Sequence, residues 1–305
     1  MLISVDHGNK QVKTTHSRCQ PFTSGLRESA MPPFGSEILQ YNGKYYTLVD
    51  ERIPYRRDKT EDERFFILTL FAVAKEIEAR EAYMAGTIPL QLAVGLPPAH
   101  YGTQYRKFER YFMGRGEVCF TFNQKPYSIE ITNALCFPQA YAAAVTMFQS
   151  LGSAPKVLVV DIGGFTADYL FIKQGKAQLG TCDSLENGVI VLYNRIRARI
   201  NVDYDMLLEE GDIDAILRGR GSCAPDIASL EEQETAAFIS DLFSALRERM
   251  IDLRSGQVVF IGGGSILLRR YIEQSHKVGQ ALFVDDIKAN AKGYEILYQV
   301  TSANR

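Results

Sequence analysis

Short apolar runs alternate along the chain with stretches whose apolar positions recur at helical spacing, the pattern of an α/β protein. Three of the runs stop at glycine-bearing turns. Val157-Leu158-Val159-Val160 leads into Asp161-Ile162-Gly163-Gly164-Phe165-Thr166, and a second strand-like run follows, so 157–172 predicts a hairpin. Leu2-Ile3-Ser4-Val5 leads in the same way into Asp6-His7-Gly8-Asn9. Val258-Val259-Phe260-Ile261 leads into Gly262-Gly263-Gly264-Ser265, a strand, a glycine turn and a helix start. Asn42-Gly43 predicts a tight hairpin, because the pair supplies positive φ angles. Further strands are expected over 90–95, 118–122 and 127–132.

Helices are expected over 61–83 with Thr60 and Glu63 as a capping box, over 101–112, and over 137–149 with Pro138 in the first turn. Others are expected over 185–200 capped by Ser184, from a second capping box at Ser229 and Glu232 to 253, and over 287–300. Phe65 and Phe66 read as core, 19–35 as loop-rich, 54–58 as exposed, and 201–226 as the least regular segment.

The two hairpins repeat one motif, strand–Asp-x-Gly–strand, about half the chain apart. Glycine lets backbone N–H groups approach an anion with no Cβ in the way. A carboxylate at a strand end suits a hydrated Mg²⁺ that in turn holds phosphate oxygens. Two similar lobes gripping a phosphate chain are therefore expected, with an ordinary polar-ended hairpin as the plainer reading of either motif alone. The third element lets a flat or anionic ligand lie close to a helix N-terminus. Glu186, Asn187 and Gly188 stand at the expected start of the 185–200 helix, where they would face a ribose or base or act as plain caps.

Composition removes other classes. A net charge of −2 over 305 residues gives no general attraction to nucleic acid or anionic membrane. Arg195 and Arg199 share a helix face that reads as solvated. No stretch approaches the ~20 apolar residues of a membrane span, and Asp6 and His7 interrupt the first apolar run, against a signal peptide. Five scattered cysteines without C-x-x-C read as free thiols, and a cytoplasmic protein is expected. No P-loop motif occurs, and the loose G-x-G-x-x-A at 219–224 lacks a preceding strand, so neither nucleotide fingerprint applies.

The ordered set of Asp6-x-Gly8-Asn9-x-Gln11-x-Lys13, Leu92-Ala93-Val94-Gly95-Leu96-Pro97-Pro98, Phe137-Pro138-Gln139-Ala140, the Asp161 hairpin and the 258–268 element spans nearly the whole chain. It resembles the superfamily of actin, the heat-shock chaperone ATPases and the sugar kinases, and within it the ParM/StbA-type actin-like ATPases of plasmid segregation. The resemblance implies a two-lobed fold of duplicated mixed-sheet domains with a nucleotide cleft between them. Domain I would cover 1–152 with a helix near 287–305 returning to it. Domain II would cover 153–286, with an inserted subdomain near 200–254 and a lobe boundary at 152–155.

It further implies ATP, with GTP as the alternative, and Mg²⁺ held through water by Asp6 and Asp161. The phosphates would lie on backbone N–H groups of Gly8, Asn9, Gly163, Gly164 and Phe165, with Gln11, Lys13 and Thr166 beside them. The 262–265 element would take the adenosine. Gln139 and Asp161 would position the attacking water, with Asp168 a further candidate. The implied function is a slow ATPase that polymerises with ATP and reaches plasmid DNA through a ParR-like adaptor protein, without contacting nucleic acid itself. A small-molecule kinase or a non-hydrolysing scaffold on the same fold is the alternative. A peptide-binding chaperone is not expected, since no residues beyond 305 would supply its second domain.

Overall fold

The computed structural model describes residues 1–35, 37–151, 154–220 and 225–303. The chain divides into two compact units, Met1–Ser150 with Asp286–Arg305, and Leu151–Asp285.

The first unit is built on nine strands: β1 (Leu2–His7), β2 (Gln11–Thr14), β3 (Phe22–Thr23), β4 (Leu26–Ser29), β5 (Ile38–Tyr41), β6 (Lys44–Leu48), β7 (Thr87–Leu96), β8 (Glu117–Phe122) and β9 (Lys125–Pro138). They form one sheet in the order β3-β2-β1-β7-β9-β8-β5-β6-β4. β7 lies parallel to both β1 and β9, and the remaining pairs are antiparallel. Leu92 and Val94 on β7, with Ala134 and Cys136 on β9, share a core with α1 (Arg64–Ala79) and α2 (Pro98–Phe112). The intervening Ala93, Leu135 and Phe137 pack instead with Tyr294 and Tyr298 of the last helix, Ala289–Ala303. Successive strand residues face opposite sides, so both sheet faces are covered. That is why β7 loses its polar alternation over its second half. Two short helices, α3 (Tyr141–Val145) and α4 (Phe148–Leu151), follow β9.

The second unit carries β10 (Lys156–Ile162), β11 (Ala167–Lys173), β12 (Lys176–Leu185), β13 (Gln257–Ile261) and β14 (Gln280–Phe283), in the order β12-β11-β10-β13-β14. Its helices are α5 (Val189–Tyr204), α6 (Glu210–Leu217), α7 (Pro225–Glu248) and α8 (Gly262–Gln274), which makes the last helix of the chain α9. Leu158, Val160 and Phe260 from the sheet share one core with Leu192, Phe238, Leu242, Leu268 and Ile213 from the four helices. The strand order repeats the first five positions of the larger sheet. In each unit an antiparallel hairpin sits beside a parallel strand, which is the duplicated mixed-sheet plan of the actin-like fold. No helix among the described residues is long and apolar enough to cross a membrane.

Several local expectations shift. α1 starts at Arg64, not 61, and the Thr60–Glu63 capping box is absent. Asp58 Oδ1 takes both the N–H and the hydroxyl of Thr60, at 2.9 and 2.6 Å, and Glu63 pairs with Arg115 at 2.7 Å. The helix stops at Ala79, two residues before the left-handed Glu81 (φ 55°). Pro138 ends a strand rather than opening a helix, because β9 stays paired to β7 as far as Leu96 opposite Pro138. β12 runs to Leu185, so α5 begins at Val189 and Ser184 is no cap. α7 begins at Pro225, whose ring presets φ for a first turn; Ser229 and Glu232 therefore lie inside it. The stretch 19–35 contains β3 and β4, and α5 continues to Tyr204. Phe65 and Phe66 are buried. Gly152, Ser153 and most of the 219–224 motif, including Cys223, lie outside the described residues.

Candidate functional site

In the first hairpin Gly8, Asn9 and Lys10 join β1 to β2, and the register sets Asp6 opposite Lys13. Lys13 Nζ stands 3.5 Å from Asp6 Oδ2, and Asp6 Oδ1 accepts from Gln139 Nε2 at 3.0 Å. One buried carboxylate is thus shared by a cation and an amide. Gly8 allows this, since a Cβ there would stand 2.6 Å from Gln11 O and 3.1 Å from Lys13 Nζ. Gln139 is held by its own N–H on Leu96 O at 2.8 Å. The next residue, Ala140, is left-handed (φ 61°) and donates its N–H to Asn290 Oδ1 at 3.0 Å. α9 therefore helps to aim Gln139 at Asp6. Gln139 touches the carboxylate in this structure, where the resemblance implies contact with water. Asn9 and Gln11 are half-buried.

In the second hairpin the register sets Asp161 opposite Asp168, two buried carboxylates side by side. Asp168 accepts from Ser184 Oγ and, at 3.3 Å, from Thr166 Oγ1, which is where the expected helix cap has gone. The carbonyls of Gly163, Gly164 and Phe165 accept from the first amides of α5, those of Val189, Ile190 and Gly188, at 3.1, 2.9 and 2.9 Å. In a trans peptide C=O and N–H point opposite ways. The N–H groups of Gly164, Phe165 and Thr166 therefore face away from α5. Gly163 differs from expectation: its own N–H closes the turn on Thr166 O at 2.8 Å and is not presented to an anion. Gly188 serves this anchoring, for a Cβ would stand 2.3 Å from Gly164 O. Glu186 is exposed and Asn187 half-buried just before α5.

The glycine triplet divides by role. Gly262 has φ +88°, and a Cβ there would stand 2.3 Å from Asp161 Oδ1 and 2.7 Å from Ile162 O. At Gly264 a Cβ would meet Ile162 O at 2.6 Å, whereas Gly263 has nothing within 4 Å. Two of the three glycines thus seat α8 on β10, bringing the positive end of the helix dipole to Asp161. Ser265 is fully buried and donates its hydroxyl to Ile261 O at 2.5 Å, so its side chain ties the helix start to the end of β13. Taken unit by unit, each hairpin sets a strand-end carboxylate beside close glycines and outward amides, with Lys13 added in the first, groups that suit a phosphate or a hydrated divalent cation.

His7 was not singled out in the sequence. It is fully buried and stacks with Phe112 at 5.7 Å between ring centroids. Its Nε2 shares a 2.7 Å hydrogen bond with Thr69 Oγ1, and its Nδ1 has no partner among the described residues. Burial, and then the charge of Lys59, hold its pKa down at about 3. The folded chain therefore keeps His7 neutral where the unfolded chain, titrating near 6.5, takes up a proton. Stability should fall as pH drops from about 6.5 toward 3, by up to about 1.4 kcal/mol per pH unit. Urea midpoints of wild type and His7→Phe over this range check the effect: the variant should show a slope shallower by one proton, and identical slopes would refute it.

The actin-like protein N-terminal domain family matches residues 4–141, and the archaeal actin homologue MreB-like C-terminal family matches 159–274. No curated protein matches. Among solved structures, the archaeal actin homologue Ta0583 is similar over 98% of this chain and 99% of its own, with TM-score 0.77 and 16% identity. The same protein in complex with ADP gives a TM-score of 0.74 at 16% identity. Apo pSK41 ParM covers 99% of this chain and 98% of its own, with TM-score 0.72 and 16% identity. The AlfA filament bound to AMPPNP covers 100% and 98%, with TM-score 0.66 and 14% identity. With both halves matched by actin-like families and the duplicated sheet plan running through the whole chain, the chain belongs to the actin-like proteins.

Proposed function

We propose that the chain is a cytoplasmic, Mg²⁺-dependent ATPase that assembles into filaments with ATP and moves plasmid DNA through a DNA-binding adaptor protein. The observation that carries the reading is the repeated hairpin, in which a strand-end carboxylate stands beside a turn whose carbonyls are tied back. The ADP complex of Ta0583 and the AMPPNP-bound AlfA filament support it by analogy of fold.

In this reading Gly8, Asn9, Gly164 and Phe165 give their amides to the phosphates, with Lys13 supplying positive charge and Gly263 the open approach to the nucleoside. Asp6 and Asp161 would hold the hydrated ion, which when bound would draw charge off the phosphates. Gln139, in reach of Asp6, orients that carboxylate and the water next to it. Catalysis is then mostly positioning. The near-neutral net charge suits DNA contact through an adaptor.

Light scattering tests the reading. It should rise only above a threshold protein concentration, only with nucleotide and Mg²⁺, and decay as phosphate is released. A monomer by sedimentation at high concentration with AMPPNP counts against a filament; turnover without assembly then favours a kinase, and binding without turnover a scaffold. Gln139→Ala should slow phosphate release by about 10²-fold while ADP affinity stays near wild type. A parallel loss of affinity would make Gln139 purely structural.

A further inference from the structure

The two hairpins solve one geometric problem with different parts. A turn that presents amides to an anion must turn its carbonyls away, and buried carbonyls need donors. In the second hairpin the start of α5 provides them. Behind the first hairpin side chains provide them, one from Lys59 at the start of a short 3-10 helix (Lys59–Glu61). There, Lys59 Nζ donates to His7 O at 2.6 Å, and Ser24 Oγ donates to Gly8 O at 2.5 Å. The N–H of Ser24 donates to Lys10 O at 3.1 Å. Lys59 and Ser24 are both buried, 9% and 2% exposed. Ser24 is fixed by Ile53, whose N–H donates to Ser24 O at 2.7 Å. Lys59 follows Asp58, which is tied to Lys107 of α2 at 2.5 Å, and its ammonium lies 5.5 Å from the Phe65 ring centroid.

We infer that Lys59 and Ser24 are positioning residues of the first phosphate hairpin: by holding the carbonyls of His7 and Gly8 from behind, they aim the N–H groups of Gly8 and Asn9 at the phosphates. The trans peptide fixes the direction, since each N–H points opposite the carbonyl of the residue before it. The pair does for the first hairpin what the α5 amides do for the second. A buried ammonium also adds full positive charge behind the turn, where α5 offers only a partial one. The inference rests on the nucleotide reading above.

Binding of ADP and of adenosine, measured by calorimetry on wild type, Lys59→Met and Ser24→Ala, separates aim from bulk stability. Methionine keeps the length of the lysine stem and removes its donor. Each variant should lose about 10-fold or more in ADP affinity, the order expected for one misplaced hydrogen-bond donor, while adenosine affinity stays within about twofold. The amide resonances of Gly8 and Asn9 should shift with pyrophosphate in wild type and shift less in the variants. If Lys59→Met fails to fold, Ser24→Ala carries the same test with a smaller change. Unchanged ADP affinity in a folded variant overturns the inference and leaves the nucleotide reading intact, as does an equal loss for ADP and adenosine. A wild-type protein that binds neither ligand overturns both.

Discussion

Gly262→Ala is expected to lower the thermal midpoint by about 6–12 °C, and Gly263→Ala, one position on, to leave it unchanged or raise it slightly. The alanine Cβ at 262 would enter the space of Asp161 Oδ1 at 2.3 Å and of Ile162 O at 2.7 Å, at a φ of +88°. A non-glycine residue in such a backbone region costs about 1–3 kcal/mol, and overpacking adds about 1–3 kcal/mol. A total near 3 kcal/mol corresponds to the stated shift at about 2–4 °C per kcal/mol. At Gly263 the Cβ meets nothing within 4 Å, and alanine in a helix gains up to about 1 kcal/mol over glycine. Calorimetry on both variants decides the matter, and equal midpoints would mean that α8 is not seated on β10 as described. Gly262→Ala should also weaken nucleotide binding, since it pushes Asp161 or the helix start out of place.

Asp161→Asn is expected to reduce Mg²⁺-dependent phosphate release by at least about 10²-fold, the scale for losing one preorganised charged group. Folding stability should change by no more than about 1 kcal/mol. Asp161 and Asp168 are cross-strand neighbours, and like charges directly opposite are destabilising by roughly 0.2–1 kcal/mol. Neutralising one of them relieves that repulsion while asparagine keeps the shape. A functional carboxylate thus separates from a structural one by the split between turnover and melting temperature. Turnover at the wild-type rate in a folded variant would remove Asp161 from the site. In the first hairpin Asp6 faces Lys13, so Asp6→Asn leaves a half-buried cation without its carboxylate and should cost stability as well.

Much of the fold was readable in the residues alone where the signal is local. Apolar runs ending in Asp-x-Gly marked β1 and β10, Asn42-Gly43 marked the turn between β5 and β6, and Val258 to Ser265 marked β13 and the start of α8. These patterns act within a few residues, through turn angles and strand burial, so no distant partner was needed to read them. The repeated hairpin and the actin-like resemblance followed from the same short motifs.

What depended on the folded chain was the choice of partner. Ser184 has the chemistry of a helix cap, yet Asp168 across the β11–β12 pair takes its hydroxyl. Pro138 suits a helix start, yet the β7–β9 ladder holds it as a strand end. Lys59 and Ser24 stand 52 and 16 positions from the carbonyls they hold, in a stretch that offers no pattern to mark them. A side chain's donors and acceptors are satisfied by whatever the sheet order brings near, and burial makes each unsatisfied group costly. Local chemistry can therefore name a turn or a strand, but which buried group a lysine, serine or glutamine serves is settled only when strands far apart in the chain lie side by side.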